Sequence, residues 1–206
     1  MLLQIHTENP EPRKIEQTIR TLEKGGVIIY PTDTVYGLGC DIFNKKAVEK
    51  ICSIRHLDPR KAMLSFVCKD IGQVAEYAWQ MDNQLFRLLK RNLPGPFTFI
   101  LKSSNAVPKL LKNKKRTIGV RVPDNKIAQA IVEELGRPLL SISLISFDEQ
   151  GEDETYLNEP WEINEMFGNL VDIVIDGGTG GSQPSSLVDC TEEPYTIIRE
   201  EASVLQ

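Results

Sequence analysis

One stretch of the chain holds more potential chemistry than the rest. Tyr30-Pro-Thr-Asp-Thr-Val-Tyr-Gly-Leu-Gly39 gathers two hydroxyls, a carboxylate, a phenol and two glycines directly after the apolar run Val27–Tyr30. Pro31 holds Tyr30 extended, and open α/β sheets bind ligands at such strand ends. Gly37 and Gly39 allow close backbone approach. Asp33 suits an amine or a metal ion, while Thr32 and Asp33 could also do no more than cap local backbone. Pro94-Gly-Pro-Phe-Thr98 is a second polar loop, read as a rigid turn into a strand. In Thr117-Ile-Gly-Val-Arg-Val-Pro123, two-residue alternation puts Thr117, Gly119 and Arg121 on one face, a set that suits an anion better than a core. Asp176-Gly-Gly-Thr-Gly-Gly-Ser-Gln-Pro-Ser-Ser186 offers many backbone amides, which can cradle an anion, yet it lacks the lysine of a nucleotide-binding Walker loop.

The elements that must position these loops alternate between short apolar runs and helix-period stretches, the pattern of a mixed α/β domain. Strands are expected at 2–6, 27–30, 63–68, 97–101, 117–122, 139–145, 171–175, 186–188 and 196–199, and residues 31–39 are read as loop. Helices are expected from an Asn9 N-cap and Pro10 to Gly25-Gly26, and over 44–56, 71–77, 82–91, 107–111, 127–135 and 161–167. The sheet should have about seven strands flanked by helices. Phe147–Asn158 reads as an insertion loop inside one domain spanning 1–206, because the chain beyond it is too short to bury its own core.

Composition narrows the function classes. Hydrophobic residues make up 41% and charged residues 26% of 206 residues, so the chain is globular rather than disordered. There is no run of eighteen apolar residues and no signal-peptide pattern at the start, so neither membrane span nor secretion is expected and the protein is placed in the cytoplasm. Cys40, Cys52, Cys68 and Cys190 form no C-x-x-C, and His6 and His56 are the only histidines, so no metal site is expected and the cysteines read as buried free thiols. Charge is divided: 23 of the 24 Lys and Arg lie in residues 1–137, whereas 138–206 hold only Arg199 against 15 acids. Lys109, Lys112, Lys114, Lys115 and Arg116 form the candidate nucleic-acid-binding patch, for RNA held through phosphates. The acidic segment 148–165 reads as a solvated face.

The ordered set Tyr30–Gly39, Pro94–Thr98, Val120-Arg-Val-Pro123, Pro138-Leu-Leu-Ser-Ile-Ser143, Pro184-Ser-Ser and Ile198-Arg199 resembles the YrdC-like family, nearly end to end. The resemblance implies a twisted mixed sheet of the YrdC/RibB type with a concave, positively charged face. Members that act in tRNA modification condense L-threonine, bicarbonate and ATP, used with Mg2+, into threonylcarbamoyl-adenylate and pyrophosphate; others are double-stranded RNA binders. Carried over, Thr32, Thr34, Ser143 and Ser185 would bind substrate. Arg55, Arg121 and Arg199 would meet phosphate or carboxylate, with Arg60 and Lys61 as further phosphate partners. No single catalytic residue is assigned.

Two positions depart from the adenylate-forming pattern. Arg55-His56-Leu57 has Leu57 where those members carry Arg, and Ser143-Leu144-Ile145 has Ile145 where they carry Asn. Leucine cannot neutralise a phosphate and isoleucine cannot hydrogen-bond one, so transition-state stabilisation is weakened. The pairing resembles the YciO subgroup. Adenylate synthesis, RNA binding without it, and binding of another small metabolite all stay open on the sequence.

Overall fold

The computed structural model describes residues 1–58, 64–147 and 154–206. In chain order the elements are β1 (Leu2–Gln4), α1 (Pro12–Glu23), β2 (Ile28–Tyr30), β3 (Gly37–Asp41), α2 (Lys45–Ile54), β4 (Ser65–Val67), α3 (Ile71–Tyr77) and α4 (Asn83–Asn92). They continue with β5 (Phe97–Lys102), β6 (Thr117–Arg121), α5 (Lys126–Leu135), β7 (Leu139–Ser143), β8 (Ser146–Phe147), β9 (Glu154–Thr155), α6 (Pro160–Phe167), β10 (Ile173–Asp176), β11 (Ser186–Asp189) and β12 (Thr196–Arg199). Ten strands form one mixed sheet in the order β1-β10-β2-β3-β7-β4-β6-β5-β11-β12, and β8 pairs with β9 apart from it.

Helix boundaries obey local chemistry. Asn44, Asp70, Asp82 and Asn125 each accept a backbone N–H from the first turn of α2, α3, α4 and α5, a cap worth about 1 kcal/mol. Gly136, at φ 70°, ends α5 in the left-handed conformation that a side chain would strain. Helices α1 and α5 lie side by side on one face of the sheet, where Ile15, Ile19, Leu22, Ile127, Ile131 and Leu135 bury Ile28, Tyr30, Ile173 and Ile175. The opposite face, with Leu38, Cys40, Phe66, Phe99 and Val120, is covered by residues of α2, α3, α4 and α6.

Among the described residues, coverage of the first face is incomplete, and this matters most for function. Cross-strand register places Gly39, Ser141, Ser65, Gly119 and Ile100 in one row across β3, β7, β4, β6 and β5. Ser65, Gly119 and Ile100 are only half-buried, as are Ser143 and Thr117 on the same face. A strip of small, mostly polar residues is therefore left as an open floor, and the Thr117, Gly119, Arg121 face expected from alternation belongs to it.

Several expectations need correction. The sheet has ten strands, not about seven, and one of the additional strands is β3, where residues 37–39 were expected to be loop. Its glycines are required by packing, since a Cβ on Gly37 or Gly39 would lie 3.0 or 2.9 Å from Cε1 of the Tyr30 ring. Helix α1 begins at Pro12 with Glu11 as its N-cap, not at Pro10. His6 Nδ1 accepts Glu8 N and Asn9 N, and the Glu11 carboxylate accepts His6 N, so residues 6–11 form a turn of their own. The helix expected over 107–111 is a single 3-10 turn, Lys109–Leu111. The 147–158 insertion opens and closes on the β8–β9 pairing, with 148–153 outside the described residues.

Candidate functional site

The signature loop, residues 31–36, joins two antiparallel neighbours in the middle of the sheet, β2 and β3. Inside it, Thr32 Oγ1 accepts Thr34 N at 3.1 Å and donates to Val35 O at 2.6 Å, a hydroxyl turn that fixes the loop from within. Thr32 and Thr34 Oγ1 atoms lie 3.1 Å apart, and both residues are buried. Arg121, at the end of β6, reaches the loop. Its Nη2 donates to Asp33 Oδ1 and to Thr34 Oγ1, each at 2.9 Å. Asp33 Oδ2 also accepts Asp124 N at 3.1 Å. The carboxylate is thus engaged by protein donors, and the amine or metal role left open for it gives way to one of holding Arg121.

Arg121 is itself distinctive. Its side chain is 10% exposed and its Nε, among the described residues, has no hydrogen-bond partner. A buried guanidinium with an unpaired N–H is a costly arrangement that an anionic group would relieve.

The open floor runs up to this point. Tyr30 OH donates to Ser141 Oγ at 2.7 Å, and burial pushes the phenol up to about 12, so it stays protonated. Ser143 pairs in register with Gly37, beside the loop. Ser65 leans over Gly119, where a Cβ would lie 2.7 Å from its Oγ. On the far side, Thr98 Oγ1 and Ser185 Oγ lie 2.7 Å apart, and Arg199 Nη2 and Nε donate to Ser185 O at 2.7 and 3.1 Å. Hydrogen bonds thus join Thr32, Thr34 and Arg121 in one network, and Ser185 and Arg199 in a second, while Ser143 stands at the loop end of β7.

Arg55 is 5% exposed and donates through Nη1 to Ile145 O at 3.1 Å, so its guanidinium grips the segment just after Ser143. Ile145 is 8% exposed and is part of the buried apolar set. Arg60 and Lys61 lie outside the described residues. Lys109, Lys114, Lys115 and Arg116 are exposed and Lys112 is half-buried. All five sit between β5 and β6, at the opposite end of β6 from Arg121. By strand rise that end is about 13 Å away.

The glycine-rich loop after β10 does different work from the anion cradle its sequence suggests. Gly177 N donates to Tyr36 OH at 3.3 Å, Gly178 N to Asp176 Oδ1 at 3.0 Å, Gly180 N to Asn158 O at 2.8 Å and Gly181 N to Thr34 O at 2.8 Å. Tyr36 OH in turn donates to Gly178 O at 2.7 Å. All four glycine amides are engaged within the protein, and a Cβ on Gly180 would meet the Tyr36 ring. The glycines are there so that this loop can press against the signature loop and hold it.

Sequence reasoning passed over Ser65, Ser141 and the Thr98 hydroxyl. Each is an ordinary small residue within a strand, and only strand pairing reveals that they share a floor.

Among known proteins, the family model Sua5_yciO_yrdC, described as "Telomere recombination", matches residues 20–201. The Escherichia coli K12 protein called uncharacterized protein YciO is 44% identical over 197 residues, 95% of this chain and 93% of that protein. The crystal structure of E. coli YciO aligns with a TM-score of 0.91 over 100% of this chain and 98% of that one, at 40% identity. A threonylcarbamoyl-AMP synthase of Marinobacter nauticus is 31% identical over 185 residues, 89% of this chain and 94% of that enzyme. A crystal structure of P. abyssi Sua5 complexed with L-threonine aligns at a TM-score of 0.85 and 26% identity, covering 98% of this chain and 57% of that one.

Proposed function

This chain belongs to the Sua5, YciO and YrdC family, and on that footing we propose that the floor beside Arg121 binds the carboxylate and hydroxyl of L-threonine next to the phosphates of ATP. The reaction class is threonylcarbamoyl-adenylate formation. In it the carbamate of threonine, made from bicarbonate with loss of water, attacks the α-phosphorus of ATP and pyrophosphate leaves. The observation that carries the reading is Arg121: buried beside the hydroxyl-lined floor, held by Asp33 and Thr34, and with no hydrogen-bond partner for Nε among the described residues. A guanidinium so fixed loses little freedom on meeting a carboxylate. In this reading Thr34, Ser141 and Ser143 orient a small hydroxy amino acid, and Tyr30, kept neutral by burial, supports Ser141 rather than taking a proton.

The departures bear on rate rather than on binding. Leu57 brings no charge to a leaving pyrophosphate, and Ile145 is buried with its carbonyl gripped by Arg55. Loss of single donors to a developing anion commonly lowers turnover by about a hundredfold or more. The purified protein is therefore expected to bind L-threonine by calorimetry and, given ATP, Mg2+, L-threonine and bicarbonate, to yield adenylate slowly by mass spectrometry. The double variant Leu57→Arg, Ile145→Asn should raise the yield. Absence of both threonine and ATP binding would overturn the reading.

A second reading rests on the cluster Lys109, Lys112, Lys114, Lys115 and Arg116, for which no ion pair is found among the described residues. It fits duplex RNA or tRNA held by phosphates. If three or four phosphates are neutralised, log affinity falls with log salt at about 0.9 per contact; a salt-independent affinity removes this reading.

A further inference from the structure

A cavity of about 290 Å3 opens on the other side of the sheet from the hydroxyl-lined floor. One wall is the segment from Trp79 to Leu85, and the other is the loop joining β11 to β12. Both walls are pinned to β5: Trp79 N donates to Lys102 O at 2.7 Å and Cys190 N to Ile100 O at 2.9 Å. The bottom is apolar, formed by Leu85, Leu101 and Cys190, all buried. The sides carry two aromatic rings, Trp79 and Tyr195, and the rim carries Asp82, Glu192 and Glu193, with Lys102 as the single cation among the described residues that line it.

Asp82 Oδ1 accepts Leu85 N at 2.8 Å as the N-cap of α4, but the other groups around this cavity have charge or ring surface that is unmatched among the described residues. Trp79 is 51% exposed although its backbone is fixed, and no ring stacks on it among the described residues. None of the three carboxylates forms an ion pair among the described residues, and neither does Lys102. Tyr195 feels the same field: burial first, then Asp82 and Glu193, push its phenol up. An apolar bottom, aromatic sides and an acidic rim together suit an organic cation on an apolar stem, through burial of the stem, cation–π contact and charge. The volume is at the small end for ligand pockets, about 300–1,000 Å3, which excludes a nucleotide and fits one extended side chain or a short amine.

We propose that this cavity is a binding site for an alkylammonium group, carried either by a free aliphatic diamine or by a lysine side chain of a polypeptide. The site is separate from the floor beside Arg121 and does not depend on its function. Trp161 is the only other tryptophan, so in a Trp161→Phe background the emission of Trp79 reports binding alone. Titration with 1,5-diaminopentane should give a saturable change with a Kd of about millimolar, as expected for seven heavy atoms. Pentan-1-ol, which keeps the stem and lacks the charge, should give none. The exposed pair Glu192→Gln, Glu193→Gln should weaken diamine binding about tenfold or more, and Lys102→Ala should tighten it, with thermal midpoints unchanged. A lysine-containing extended hexapeptide distinguishes the sources: tighter binding than the diamine assigns a polypeptide side chain, and equal or weaker binding assigns the free amine. No saturable change for either probe, or equal affinities in the parent and the glutamine double variant, would overturn the proposal.

Discussion

Arg121 shows how much depends on a single side chain when its charge is buried. Its partner Asp33 is 9% exposed at the side chain, so removing the guanidinium leaves a carboxylate with little water. Loss of one member of such a pair costs about 3–5 kcal/mol. Arg121→Ala should lower the urea-unfolding free energy by about that amount and abolish threonine binding. Asp33→Asn, which keeps an oxygen for Asp124 N, should be milder in stability yet still weaken binding, because Arg121 loses its anchor. Calorimetry and urea melts on both variants separate the two effects. At this scale the sequence was informative: Thr32, Thr34 and Arg121 are brought together by hydrogen bonds, and Ser185 with Arg199. What it could not supply was direction. That Arg199 grips Ser185 O, that Arg55 grips Ile145 O, and that the glycine amides turn inward all depend on where neighbouring elements fall.

At the scale of elements, caps and alternation were legible because they are local. Asp70 and Asp82 stand just before their helices, and Gly136 just after α5, as the turn chemistry requires. Strand β3 was not legible. Gly-Leu-Gly-Cys-Asp has poor strand propensity, and it is a strand because the Tyr30 ring needs the space its glycines leave. Gly39→Ala places a methyl against Tyr30, Leu139 and the Leu140 carbonyl, and such overpacking costs about 1–3 kcal/mol. Asn125→Ala, which removes the N-cap of α5 and its bond to Ala128 N, should cost about 1 kcal/mol. Urea denaturation checks both. Only the glycine variant should also move the signature loop and weaken ligand binding.

The whole molecule is held at its first edge by Asp172. Its carboxylate accepts Val27 N and Lys50 Nζ, and its carbonyl lies 3.3 Å from the N-terminal ammonium. Burial alone would raise this carboxyl, but the hydrogen bonds from Val27 and Lys50 prevail and hold it below the usual carboxylate range. A depressed carboxyl stabilises the fold above its unfolded pKa, about 3.9, and that contribution is lost as pH falls through the lower folded value. Asp172→Asn should therefore lower stability near pH 7 and flatten the loss of stability below about pH 4. A series of thermal melts from neutral to acid pH checks this. Strand β3 apart, the strands themselves were legible, but their order in the sheet was not: β1 and β2 reach their common neighbour β10 across about 170 and 145 residues of chain, and sequence patterns are blind to such pairings.

The same pairing imposes an order of completion during synthesis. Strand β10 lies between β1 and β2, and β11 closes the other side against β5. Strands made early therefore wait for ones made late, and a nascent chain carries incomplete edges until residue 199, the end of β12, has emerged. Ser185 and Arg199, which complete the far side of the floor, come last of all. A ribosome-bound chain has the signature loop and Arg121 long before it holds Ser185 and Arg199, so the two hydrogen-bonded networks beside the floor coexist only in a chain made nearly to its last strand.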